Sequence, residues 1–241
     1  MIMEDPTSPM AESARSICAR LCDGRSRSPV ILVTSPAPGD GKTVLALALA
    51  QTFAISNQSC LFIDADFRRP SGHRAFNIPL QPGLCEVLAG TLSLEKALIK
   101  LLPGPLTFLS AGEVTRDPLE LFSPSRLIPF IESVRQKFDV IVLDSPPVLA
   151  VSDASLIVGH VNHVLLALRW NVTTRSAAAR AITILKRQAG PSPLLALTQV
   201  DHRKTSRYEG GRYGMDLSYA GRGWAHNAER SSRKPSVDSR A

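Results

Sequence analysis

The run Val30-Ile31-Leu32-Val33, followed by Ser35-Pro36-Ala37-Pro38-Gly39-Asp40-Gly41-Lys42-Thr43, constrains this chain more than any other feature. Four consecutive apolar residues read as a strand buried on both faces. Proline and glycine then break the strand, and Lys42 to Ser56 reads as a helix. A strand that turns through glycines into a helix leaves the first helical N–H groups pointing into the loop, which makes a cradle for phosphate. The candidate cofactor-binding residues are Pro38, Gly39, Asp40, Gly41, Lys42 and Thr43. Gly39 and Gly41 permit the turn, Lys42 reaches the β- and γ-phosphates, and Thr43 offers a hydroxyl to Mg²⁺. The pattern is G-x-x-x-x-G-K-[ST], with Pro36 in the place of the first glycine. The cofactors expected are ATP and Mg²⁺.

The remaining chain supplies the partners of that strand. Cys60 to Asp64, Leu106 to Leu109, Val140 to Asp144, Val164 to Leu168 and Leu194 to Val200 read as further strands. Helical patterns occupy Ala11 to Leu21, Leu84 to Leu88, Leu94 to Leu101, Pro124 to Phe138, Ala154 to Val158 and Thr174 to Ala189. In the first of these, Ser13, Ile17 and Leu21 fall on one face. Strands that alternate with helices predict an α/β fold of P-loop NTPase type, a doubly wound, mostly parallel sheet flanked by helices. In such a sheet the ligand sits beyond the carboxyl ends of the strands. Three segments are expected: an N-terminal segment with a helix over 1–28, the P-loop domain over 29–204, and a mobile tail rich in Tyr, Gly and Arg over 205–241.

Composition narrows the classes. No apolar run reaches the roughly 18 residues of a membrane span. The N-terminus carries Glu4 and no apolar core of a signal peptide. The four cysteines lack zinc-site spacing and are expected to be inert, which suits a reducing cytoplasm. Net charge is +7, and residues 201–241 hold nine Lys or Arg against five acids. No aromatic platform or reading motif accompanies that charge, so nucleic acid is not an expected partner.

Carboxylates end two of the other strands. Asp144 is the candidate Mg²⁺ residue, because Mg²⁺ with phosphates favours carboxylates and water. Asp64 and Asp66 share a face if the backbone stays extended past Asp64. One then binds metal, directly or through water, and the other accepts a proton from an attacking hydroxyl. Arg68 and Arg69 follow, suited to stabilising charge on a transferring phosphoryl, to pairing with Asp64 or Asp66, or to facing a neighbouring subunit. The catalytic candidates are Lys42, Asp64, Asp66 and Arg68; the metal candidates are Thr43, Asp66 and Asp144. The three tyrosines, Tyr208, Tyr213 and Tyr219, all lie near the C-terminus among Gly and Arg. They read as phosphate acceptors.

From about Glu12 to Tyr219 these residues resemble the bacterial tyrosine kinase (BY-kinase) family, P-loop autokinases of capsule and exopolysaccharide biosynthesis. The resemblance rests on the P-loop, on Leu61-Phe62-Ile63-Asp64-Ala65-Asp66 with Arg68-Arg69-Pro70, and on Gly83 to Gly90. Ala111-Gly112, Pro118-Leu119-Glu120-Leu121, Asp144-Ser145-Pro146-Pro147-Val148 and Ser152-Asp153-Ala154 continue it. It implies that Lys42 and Thr43 bind ATP and Mg²⁺, and that Asp64, Asp66 and Asp144 organise the metal and the attacking tyrosine. It also implies phosphorylation of the C-terminal tyrosines between protomers of a homo-oligomeric ring. A separate, membrane-spanning activator of the chain-length-determinant type is implied, which would hold the chain at the inner face of the membrane. The family's E-x-x-R-x-x-R motif, which the resemblance ties to oligomer contacts and so to an oligomerisation helix within 1–28, appears as Glu12 to Cys18, with Cys18 in place of the second arginine. The tyrosines are three and spaced rather than a dense run.

Two other readings share the loop. Partitioning-type ATPases carry an early lysine where this chain has Ala37, and lack the Phe67-Arg68-Arg69-Pro70 sequel. A nucleotide-binding regulatory scaffold without kinase activity would not require Lys42, Thr43, Asp64, Asp66 and Asp144 together.

Overall fold

The computed structural model describes residues 8–22, 24, 26–101, 104–113 and 117–201. Its elements are α1 (Pro9–Leu21), β1 (Val30–Thr34), α2 (Lys42–Ile55), β2 (Cys60–Asp64), α3 (Gly72–Ala75), α4 (Leu84–Ala89), α5 (Leu94–Ala97), β3 (Leu98–Leu101), β4 (Leu106–Leu109), α6 (Pro118–Leu121), α7 (Pro124–Arg135), β5 (Val140–Asp144), α8 (Asp153–Val158), β6 (His163–Arg169), α9 (Arg175–Lys186) and β7 (Leu194–Thr198). The strands form one sheet of order β3-β4-β2-β5-β1-β6-β7. Every pairing is parallel except β3 with β4.

Strand alternation divides the core in two. Val30 and Leu32, Leu61 and Ile63, and Ile141 and Leu143 join a cluster with α4, α7, α8 and α9. Ile31 and Val33, Cys60 and Phe62, and Val140 and Val142 face α1 and α2. Period 2 continues that second face to Asp64 and Asp144, which pair in register at the ends of β2 and β5. Two acids thus end on the face where α2 begins. All five residues of β1, β2 and β5 are buried, as a parallel sheet covered on both sides requires.

Two elements depart from the sequence reading. The helix expected over Leu94 to Leu101 ends at Ala97, and Leu98–Leu101 is the antiparallel edge strand β3. The open side of β4 and a connection of four residues, 102–105, make a hairpin the favoured outcome. In α1 the buried stripe is Ala11, Ala14, Cys18 and Leu21, not Ser13, Ile17 and Leu21. Cys18 faces α2, where its thiol donates weakly to the Leu49 carbonyl at 3.9 Å. Burial pushes the Cys18 thiol up to about 12 and raises that of Cys60 as well, which leaves both as packing groups.

Candidate nucleotide and metal site

The loop between β1 and α2 is held from several directions. Gly39 and Gly41 take φ of 84° and 86°, left-handed values that favour glycine. A Cβ on Gly41 would also sit 3.1 Å from Thr198. The Asp40 carboxylate accepts from the Ala37 N–H at 2.9 Å and the Thr173 hydroxyl at 3.0 Å. Thr198 Oγ1 donates to the Asp40 carbonyl at 2.5 Å, and Gln199 Nε2 donates to the Gly39 carbonyl at 3.0 Å. Gly41 caps α2 without any side-chain hydrogen bond. The first N–H groups of α2 are therefore left to an anion.

Behind the loop lies a compact charge cluster. Lys42 Nζ donates to Asp66 Oδ2 at 3.0 Å and stands 3.5 Å from Asp144 Oδ1. Burial works against the ammonium, yet the Asp144 and Asp66 carboxylates, with Asp64, hold its pKa above the ordinary lysine value. Thr43 Oγ1 donates to Asp144 Oδ2 at 2.6 Å. Asp144 is fully buried, and burial pushes its carboxyl up to about 7; Asp64 and Asp66 add to the rise, while Lys42 and Thr43 oppose it. Its Oδ1 is buried and accepts no hydrogen bond. The contact from Lys42 to that oxygen is an ion pair too long for more.

Asp64 and Asp66 occupy different environments. The strand stops at Asp64, so strand alternation does not carry on to Asp66. Asp64 accepts the Ser71 and Gly72 N–H groups at 2.8 Å each through Oδ2, and the Asp66 N–H at 3.2 Å through Oδ1. Those bonds fold the segment 66–72 over the cleft. Burial raises the Asp64 pKa despite the three amide donors. Asp66 presents Oδ2 to Lys42 and accepts the Arg69 N–H at 3.0 Å through Oδ1. The Arg68 guanidinium grips the Asp153 carboxylate through Nε and Nη2 at 3.2 and 3.3 Å.

The cluster opens into a cavity of about 550 Å³. The P-loop residues, Lys42 and Thr43 form one side; Asp66, Arg68 and Arg69 form another; Pro146, Pro147, Ala150 and Val151 supply an apolar wall. The donor set suits Mg²⁺: an orphaned Asp144 oxygen, the Thr43 hydroxyl and the Asp66 carboxylate are hard oxygens too few to enclose an ion alone. Mg²⁺ takes such partial sites and completes its shell with water and phosphate.

The structure brings Pro38 to Thr43, Asp64, Asp66, Arg68 and Asp144 to one rim of the sheet. Tyr208, Tyr213 and Tyr219 lie outside the described residues. Sequence reasoning gave no role to Asp153, Thr173, Thr198 or Gln199. Asp153 stood in a quoted motif, but only the fold sets it against Arg68. Thr198 and Gln199 end the last strand, and the rim rule for parallel sheets is the one signal that reaches them.

Residues 28–176 match the AAA domain family. The chain is 31% identical over 192 residues to the tyrosine-protein kinase Etk of Escherichia coli K12, covering 79% of this chain and 26% of that protein. The fold superposes on the kinase domain of Etk with a TM-score of 0.78 at 29% identity, over 83% of this chain and 79% of that one. It superposes on the VpsO kinase domain with a TM-score of 0.74 at 31% identity, over 80% of this chain and 95% of that one. The chain belongs to the bacterial tyrosine-kinase family. It spans about a quarter of the length of the curated relatives it matches. A P-loop fold of this kind implies nucleotide binding. Among the described residues no helix is long and apolar enough to cross a membrane.

Proposed function

We propose that this chain is an ATP- and Mg²⁺-dependent protein-tyrosine autokinase, which transfers phosphate to Tyr208, Tyr213 and Tyr219 of a neighbouring protomer. The observation that carries this reading is the buried constellation of Lys42, Thr43, Asp66 and Asp144 at the mouth of the P-loop. A scaffold that only holds nucleotide has no need of three buried acids around one lysine, since each buried charge costs stability unless it is paired.

Bound Mg²⁺ would be held by Thr43 and Asp144, with Asp66 reaching it through water, and would neutralise phosphate charge. The loop N–H groups and Lys42 bind and orient the phosphates. Asp66, the carboxylate that lines the cavity, accepts the tyrosine proton. The phenolic oxygen bonds to the γ-phosphorus as the bond from that phosphorus to the β–γ bridging oxygen breaks, and ADP leaves with the electron pair. Asp64 acts by position: it pins the segment that carries Asp66 and Arg68. Arg68, braced by Asp153, faces the developing charge.

The relative named as a putative tyrosine-protein kinase in a cps region supports a role in polymerisation or export of a capsular or exopolysaccharide polymer. The same reading gives a homo-oligomer and a separate membrane-spanning activator of the chain-length-determinant type, with the chain peripheral at the inner membrane face. The test is incubation with labelled ATP and Mg²⁺, with and without the activator's cytoplasmic segment, followed by mass-spectrometric mapping. Label on the three tyrosines that vanishes in Lys42→Met is expected. ATP hydrolysis with unmodified tyrosines, activator present, overturns the proposal.

A further inference from the structure

Asp40 carries the wrong sign of charge for its place. It lies within the phosphate loop, where a carboxylate opposes an anionic ligand, and it is only 3% exposed. Both of its oxygens are engaged in hydrogen bonds: Oδ2 accepts the Ala37 N–H and Oδ1 accepts the Thr173 hydroxyl. Thr173 is itself fixed before it reaches Asp40. Its N–H donates to the Arg169 carbonyl at 2.9 Å, and its hydroxyl oxygen accepts the Arg169 N–H at 2.8 Å. The turn that follows β6 therefore aims one hydroxyl proton at the phosphate loop.

The loop has a physical need for such a tie. Gly39 and Gly41 flank Asp40, and glycine visits both signs of φ at little cost, so the peptide planes on either side of Asp40 can turn over. A turned plane puts a carbonyl oxygen where an N–H should meet phosphate. In a trans peptide the N–H points away from the C=O. The Gly39 carbonyl is held by Gln199 and the Asp40 carbonyl by Thr198, both at the end of β7. The Asp40 and Gly41 N–H groups consequently face the other way. The Asp40 side chain fixes the residue between those two planes and, through Ala37, the start of the loop.

We propose that Asp40 and Thr173 are positioning residues for the nucleotide: the Asp40 carboxylate, anchored on Thr173, locks the loop with its N–H groups turned toward the phosphates, and it acts through its hydrogen bonds and not through its charge. With Thr198 and Gln199 this lock ties the loop to the ends of β6 and β7, on the opposite side of β1 from the acids of β2 and β5. The half of the site that shapes the loop is thus built apart from the half that carries Asp64, Asp66 and Asp144. The inference rests on the nucleotide part of the proposed function and not on transfer to tyrosine.

Asparagine separates hydrogen bonding from charge. In Asp40→Asn the amide oxygen accepts from Ala37 and the amide nitrogen donates to the second lone pair of the Thr173 oxygen, whereas Asp40→Ala makes neither bond. The test is calorimetric titration of the full chain with ADP and Mg²⁺, at a temperature where circular dichroism shows every variant folded. Binding about tenfold weaker is expected for Asp40→Ala and about fivefold weaker for Thr173→Val, with the double variant no weaker than Asp40→Ala. Asp40→Asn is expected to recover most of the loss. Asp40→Asn as weak as Asp40→Ala, or losses that add in the double variant, overturns the proposal. So does a lowered melting temperature of Asp40→Ala with unchanged affinity, which assigns Asp40 to stability alone. No ADP binding by the unaltered chain overturns the nucleotide reading along with it. The expected pattern in a chain that never labels its tyrosines supports the lock and refutes the kinase reading instead.

Discussion

Lys42 is expected to stabilise the nucleotide-free protein as well as bind phosphate, and Lys42→Met separates the two roles. The side chains of Lys42, Asp66 and Asp144 are 12%, 5% and 0% exposed. Removing the ammonium leaves Asp66 and Asp144 facing one another, with Asp64 nearby and no cation. Loss of one partner from a buried ion pair costs about 3–5 kcal/mol, which for a chain of this size lowers the melting temperature by roughly 10 °C. The pH dependence has a definite sign. Asp144 already stands at about 7 in the folded protein against an ordinary 3.8, chiefly because it is buried, and Lys42 is a force holding it down. In the variant it rises further. A carboxyl raised by folding contributes stability that is fully present below its unfolded value and is lost as pH climbs through the folded one. The deficit of Lys42→Met is therefore expected to widen between about pH 5 and about pH 8.5, and to narrow when Mg²⁺ is added. Thermal unfolding of both proteins, followed by circular dichroism at the two pH values, measures it. Equal melting temperatures throughout, or a deficit that shrinks as pH rises, would refute the reasoning.

Further outcomes follow from single contacts. Asp64→Ala strips three amide donors of their acceptor; autophosphorylation is expected to vanish while a fluorescent ADP analogue still binds, and unchanged autophosphorylation counts against the positioning role. Thr198→Val removes the hydroxyl that holds the Asp40 carbonyl, and a net hydrogen bond of about 1 kcal/mol predicts roughly fivefold weaker nucleotide binding by calorimetry. Gly72→Ala places a methyl 2.9 Å from the Phe108 ring; the urea midpoint is expected to fall by an amount worth about 1–3 kcal/mol. Asp153→Asn frees Arg68, whose guanidinium is half exposed, so stability changes by less than about 1 kcal/mol while the phosphorylation rate drops.

The strands β1, β2 and β5 were legible because parallel strands buried on both faces are short, continuous apolar runs, and each here is bounded by turn residues. The P-loop was legible because its chemistry is local: glycines at positive φ, then lysine and threonine at the start of a helix. Strand β3 was not, since Leu98–Leu101 is too short to distinguish helix from strand by period, and only the open side of β4 decides it. The same limit governs the acids. The sequence by itself determined which carboxylates end strands, and so that Asp64 and Asp144 share a rim. It did not assign their separate tasks. Tertiary structure alone turned Asp64 toward the backbone of 71–72, gave Asp66 to Lys42, left an Asp144 oxygen free of hydrogen bonds, and set Arg68 against Asp153, 85 residues away. The physical reason is that spacing along a chain fixes only the neighbours of a side chain within its own element. Its burial, its partners and hence its proton affinity are set by residues that the fold brings in from elsewhere.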